Sequence, residues 1–193
     1  MDSRLLAWGY AARRRGVHIP PLWLFTDARR LPDPLPAVSR LPRGLAGVVF
    51  RHDGDPGRAA LGRQIARLCR SRRLALVVAG DVHLAAALRA GVHLRAGRWP
   101  GVARRRTGLV TSSAHGLADL RRARRAGTTL AFLSPAFPTA SHPGAGGLGV
   151  LHWIRLARAA PLPVGALGGV DGRTVRRLPL TLCRVVGAIG ALA

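Results

Sequence analysis

The residues of this chain best suited to chemistry are glycines, hydroxyls and arginines in short clusters. One cluster is Leu167-Gly168-Gly169-Val170, followed at once by Asp171. Adjacent glycines let backbone N–H groups approach an oxyanion with no Cβ in the way, and Asp171 can cap a helix behind them. The second cluster is Ser134-Pro135-Ala136-Phe137-Pro138-Thr139-Ala140-Ser141-His142. Two prolines turn it, and the alternate hydroxyls of Thr139 and Ser141 point the same way in an extended loop, with His142 beside them. Gly144, Gly146 and Gly147 follow, as in a flap. Arg51, Arg95 and Arg98 offer guanidinium forks suited to phosphate. This is an inventory for holding anions. Carboxylates are scarcer. Asp27, Asp53 and Asp81 could form a rearranged metal site, with Asp81 its candidate ligand. His93 and His115 are read first as hydrogen-bonded structural residues.

Each cluster follows a β-rich run. Such runs lie at 22–26, 45–50, 74–79, 91–94, 108–112, 128–134, 163–167 and 184–189. Most are continuous apolar stretches rather than alternating ones, the pattern of strands buried on both faces. Helical periods lie between them. Leu61, Ile65, Leu68 and Cys69 form one stripe, Leu117, Leu120, Ala123 and Ala126 a second, and Val150, Leu151, Ile154 and Ala157 a third. Shorter helices fit 84–88 and 174–178, and another fits 3–15 ahead of the first strand. Pro20-Pro21 and the segment 32–36 read as loops around that strand. Eight strands alternating with helices predict an α/β fold, a minimal (β/α)8 TIM barrel lacking a full last helix. Residues 1–193 then make a single barrel domain, with 1–20 as an N-terminal helix and loop. In such a barrel the clusters above sit at the C-terminal ends of strands, where barrel chemistry is found.

Composition narrows the partners. The formal net charge is +23, and every basic residue is Arg and every acidic residue Asp. A charge this high suggests a polyanion. Total exclusion of Lys and Glu points instead to a codon-composition bias, since phosphate contact alone would use both cations. Aromatic residues are only 5%, with no basic–aromatic interleaving, so nucleic acid is an unlikely partner. The clusters Arg70–Arg73, 104–106 and 121–125 are expected on outward helix faces. No apolar stretch reaches the roughly 18 residues of a membrane span. Cys69 and Cys183 are too few for a disulfide framework, and no secretory signal is evident, so a cytoplasmic setting is expected. A homodimer is compatible with the sequence.

The segments LFTD, FRHD, GVHL, SSAH, SPAFPTASH and PVGALGGV, in this order from residue 22 to 192, resemble the thiamine phosphate synthase family with its TenI-type relatives. The most specific piece is 135–142, similar to the family's G-P-V-F-P-T-x-T-K. The resemblance implies a (β/α)8 barrel of thiamine biosynthesis that joins hydroxymethylpyrimidine diphosphate to thiazole phosphate and releases diphosphate, aided by Mg2+. It implies substrate-binding roles for Thr139, Ser141, Gly168 and Gly169, and catalytic roles for Arg51 and Ser113 near the diphosphate. His142, Gly190 and Arg98, which stand where the family has other residues, are added as substrate-binding candidates on their own chemistry. The chain departs from the family pattern in one half of the site. Asp53 and His142 stand where the family has lysines. Ala79-Gly80-Asp81 replaces N-D-R, and Arg98 falls on the second metal aspartate. The family's metal ligands are thus not retained, which implies reduced activity. The alternative is a non-catalytic barrel that binds a phosphorylated thiazole or thiamine phosphate as sensor or carrier. A thiazole tautomerase is disfavoured, because Pro135 stands where that activity uses a histidine.

Overall fold

Runs that are apolar on both faces need cover on both faces, and the chain supplies it by closing a barrel. The computed structural model describes residues 1–16, 18–100, 108–139 and 146–193. Eight parallel strands pair in sequence order and β8 returns to β1. They are β1 Leu22–Phe25, β2 Ala46–Phe50, β3 Ala75–Ala79, β4 Gly91–Leu94, β5 Val110–Ala114, β6 Leu130–Leu133, β7 Val164–Leu167 and β8 Val186–Ala188. The helices are α1 Ser3–Arg14, α2 Leu35–Arg40, α3 Arg58–Ser71, α4 Val82–Ala87, α5 Leu117–Arg125 and α6 Gly149–Ala159, with a 3-10 turn at Val175–Arg177.

Alternate residues of each strand serve different cores. Trp23, Phe25, Val49, Val77, Leu130, Phe132 and Val185 fill the barrel interior. Leu22, Leu24, Val48 and Phe50 face outward onto the helices. Glycines opposite the large rings make the interior fit. A Cβ on Gly47 would lie 2.7 Å from the Trp23 ring, and one on Gly187 would lie 2.5 Å from the Phe25 ring. Phe132 packs edge-on against Phe25 at 4.9 Å and against Trp23 at 5.9 Å.

One segment departs from the sequence expectation. Residues 32–36 were expected to be loop, but Leu35–Arg40 is helical. Pro36 sits in its first turn, where the missing N–H would have had no intrahelical partner. The 174–178 segment is one 3-10 turn rather than an α-helix. Among the described arginines of the clusters, Arg70, Arg73, Arg121, Arg124 and Arg125 are exposed. Arg72 and Arg122 are half-buried and donate to the carbonyls of Leu41 and Ala96. Residues 104–106 lie outside the described residues. No described helix is long and apolar enough to cross a membrane.

Helix α1 fastens to the C-terminal end of the barrel. Asp2 caps it, accepting from the amides of Arg4 and Leu5. The same carboxylate accepts from Gly172 N at 2.7 Å, and Asp2 N donates to Ala191 O at 2.9 Å. A Cβ on Gly9 would meet Leu22 at 2.7 Å, so the helix lies close on β1. The Gly172 amide, then those of Leu5 and Arg4, hold the Asp2 carboxyl below its ordinary value of 3.8, against the opposing effect of burial. Its contribution to stability is therefore present above that value and is lost as pH falls through the lowered one. Asp2→Ala is expected to cost about 1 kcal/mol, a drop of roughly 2–4 °C in Tm. Thermal unfolding at neutral pH checks this, and an unchanged Tm would show the fastening to be idle.

Candidate functional site

The C-terminal ends of the strands surround a cavity of about 1180 Å³. Its floor is the top of the interior core, where Phe25, Ala79 and His93 reach the mouth. His93 is buried, with Nδ1 2.8 Å from Thr111 Oγ1 and its ring edge-on to Phe25. Burial first, then the positive charges of Arg51 and Arg95, push its pKa down to about 3. It is a neutral part of the floor at physiological pH, which agrees with the structural role expected for it.

One wall is built from the loops after β6 and β7. Ala136 N donates to Leu167 O at 2.8 Å, and Phe137 N donates to Gly168 O at 3.1 Å, knitting the loops backbone to backbone. Gly168 and Gly169 have φ of +89° and +62°. A Cβ at Gly169 would lie 2.4 Å from Pro138 O, so glycine is required there by conformation and by space. Asp171 accepts from the amides of Arg173 and Thr174, while Thr174 Oγ1 donates to Gly169 O at 2.9 Å. These contacts hold the glycine turn from behind. The Thr174 amide, despite burial, keeps the Asp171 carboxyl below its ordinary value. Thr139, Gly168, Gly169 and Gly190 all line this part of the cavity. Ser141 and His142 lie outside the described residues.

The other wall carries charge from the loops after β1, β2 and β4. Arg51 donates through Nη2 to Asp27 Oδ2 at 2.6 Å. Burial opposes ionisation of Asp27, but the amides of Arg30 and Arg29 and the Arg51 charge hold its carboxyl below the ordinary value. Arg95 pairs with Asp53 at 2.6 Å, and Arg58 lies between Asp53 at 3.3 Å and Asp81 at 3.4 Å. Ser113 also lines the cavity, its Oγ accepting from Ala96 N at 3.1 Å. His115 donates from Nδ1 to Ser134 O at 2.8 Å.

The structure therefore gathers Arg51, Ser113, Thr139, Gly168, Gly169 and Gly190 around one cavity. Arg98 is not among its lining residues. Arg98 N donates back to Arg95 O across a tight turn through Ala96 and Gly97, leaving Arg98 exposed and Arg95 at the mouth. Asp81 is likewise outside the lining. Its Oδ1 caps α4 through Leu84 N at 2.8 Å, and its Oδ2 faces Arg58. Arg29, Arg30 and Arg177 line the cavity without having been picked out from sequence. Arg177 could have been found by its place in the loop behind the glycine pair, and it lies over the Phe137 ring at 5.5 Å. Cys69 and Cys183 are not nucleophiles, since burial pushes both thiols up to about 12.

Comparison with known proteins adds relatives to this geometry. The family described as Thiamine monophosphate synthase matches residues 32–192. The thiamine-phosphate synthase of Synechococcus sp. (strain WH7803) is 30% identical, across 99% of this chain and 58% of that protein. The thiamine-phosphate synthase of Geobacillus thermodenitrificans (strain NG80-2) is 32% identical, across 82% of this chain and 78% of that protein. The chain thus spans little more than half of the first relative and about three quarters of the second. Among solved structures, the thiamine phosphate pyrophosphorylase from Pyrococcus furiosus superposes with a TM-score of 0.74 at 22% identity, covering 89% of this chain and 86% of that one. At that identity the likeness speaks for the fold.

Proposed function

The chain belongs to the thiamine monophosphate synthase family, and we propose that its mouth cavity joins hydroxymethylpyrimidine diphosphate to thiazole phosphate with release of diphosphate. The bond between the pyrimidine methylene carbon and the diphosphate oxygen breaks, and its electron pair leaves with diphosphate. The thiazole nitrogen then gives its lone pair to the resulting cation. No proton needs to be removed in either step. Catalysis is therefore a matter of holding the leaving anion and aiming the nucleophile.

The observation that carries this reading is the division of one cavity into two walls. The glycine wall, with Gly168, Gly169, Gly190 and Thr139, offers a turn open to a monophosphate. We assign the thiazole phosphate to it; Ser141 and His142, candidates from the sequence, lie outside the described residues. The arginine wall, with Arg51 and Ser113, faces the leaving diphosphate. The apolar floor of Phe25 and His93 suits flat heterocycles lying between the two. Both cysteines are free thiols, which supports a reducing, cytoplasmic setting.

Incubation with both substrates, followed by mass spectrometry of thiamine phosphate, tests the proposal. Product is expected to form slowly. Loss of one electrostatic donor in such a site typically lowers rate by about 10²–10³, and lysines are missing from this one. Absence of both product and thiazole phosphate binding would overturn the assignment. Thiazole phosphate binding without product would favour the sensor or carrier.

A further inference from the structure

The charged wall shows how its anion would be held. A divalent cation there would need carboxylate oxygens, and each candidate is already engaged. Asp27 offers Oδ2 to Arg51 and Oδ1 to the amides of Arg29 and Arg30. Asp53 has Arg95 at one oxygen and Arg58 at the other. Asp81 caps α4 with one oxygen and meets Arg58 with the other. Among the described residues no three His, Cys, Asp or Glu side chains gather as metal ligands. Hard cations need several oxygens at once. The donor set of this wall does not fit Mg2+.

It does fit a bare anion. The side chains of Arg51 and Arg95 are 37% and 65% exposed, so a phosphate oxygen can reach both forks from solvent. Among the described residues, five arginines and three aspartates line the cavity, a cationic excess. Arg58 is much less accessible, with 16% of its side chain exposed, and donates to Ala79 O at 2.7 Å. It is the fixed base of the cluster, anchoring Asp53, which in turn orients Arg95. We propose that this wall binds the diphosphate group directly on Arg51 and Arg95 as a metal-free anion. Asp27 and Asp53 hold the two forks in place until it arrives and yield to it as it binds. The inference rests on the reading of the cavity given above. It has a consequence opposite to the metal-dependent pattern. Mg2+ in solution chelates diphosphate and lowers its charge, so it weakens binding.

Calorimetric titration with inorganic diphosphate, in EDTA and then in excess Mg2+, tests this. Saturable binding is expected in EDTA, with affinity falling several-fold in Mg2+. Arg51→Gln and Arg95→Gln should each weaken diphosphate about tenfold, the worth of one charge-assisted contact. Asp53→Asn removes the competing counter-ion and keeps both arginines, so it should tighten diphosphate a few-fold. Binding that needs Mg2+, or that ignores all three substitutions, overturns the proposal. Thiazole phosphate titrated into the same protein reports separately on the functional reading. If it binds while diphosphate requires Mg2+, the functional reading stands and the metal-free site falls. If diphosphate binds in EDTA while thiazole phosphate neither binds nor gives product, the anion site stands and the functional reading falls.

Discussion

Gly169→Val is expected to abolish measurable thiazole phosphate binding while the barrel still folds. Two separate obstacles act at this position. The φ of +62° is strained for any residue with a Cβ, and most of all for a β-branched one. A Cβ would also lie 2.4 Å from Pro138 O and 2.8 Å from Phe137 Cβ, and no real Cβ approaches backbone so closely. The loop after β6 would have to lift away. Its knit to Leu167 and Gly168 would go with it, and Thr139 would leave the glycine wall. A loss of at least about tenfold in affinity follows if even one of the proposed charge-assisted phosphate contacts is lost. Gly169→Ala should show much of the effect, because the first methyl already collides. Gly116→Ala is the control. That glycine has extended backbone and open space beside it. Calorimetry with thiazole phosphate, with circular dichroism to confirm folding, reads the result. A folded Gly169→Val protein that binds normally would remove the glycine wall from the site.

Much of this wall was legible in the sequence, and the reasons are physical. Strands buried on both faces write themselves as unbroken apolar runs, and 91–94 matches β4 residue for residue. Paired glycines at a strand end admit few uses, so Gly168 and Gly169 stand out in the sequence. The charged wall was harder. Arg95 and Arg98 both follow β4, and residue type alone does not tell which one faces the cavity. A turn with Ala96 at φ +49° and Gly97 at φ +72° decides it, and alanine gives little warning of a left-handed backbone. Arg58 reads as a solvated helix residue by its period. Its place at the first turn of α3 instead lets the side chain reach Ala79 O on the neighbouring strand. Helix α2 was hidden because Pro34 and Pro36 look like loop residues, although proline is tolerated at a helix start.

Acid should destabilise the protein well before its aspartates protonate, and His93 is the reason. In the unfolded chain this ring titrates near 6.5, whereas in the barrel its pKa lies at about 3. Between those values the unfolded state binds a proton that the folded state refuses. Stability is therefore complete above 6.5 and falls with pH below it, by up to about 1.4 kcal/mol per pH unit. Against a typical total of about 5–15 kcal/mol this is a large share. The cause is local: a ring 4% exposed, packed edge-on to Phe25, lying under the Arg51 and Arg95 charges. Asp2, Asp27 and Asp171 act in a separate window. Their lowered values mean that their contributions persist down to about 3.8 and vanish below it. His93→Gln removes the titrating ring and keeps an amide able to hydrogen-bond with Thr111. Urea unfolding at pH 7, 6, 5 and 4 should show a shallower fall in this variant than in the native chain, even if its stability at pH 7 is lower. Parallel curves would place the acid-sensitive proton on another group. A flattened curve would show that His93 carries the acid-sensitive proton and that the floor of the cavity holds a neutral ring close to two guanidinium charges.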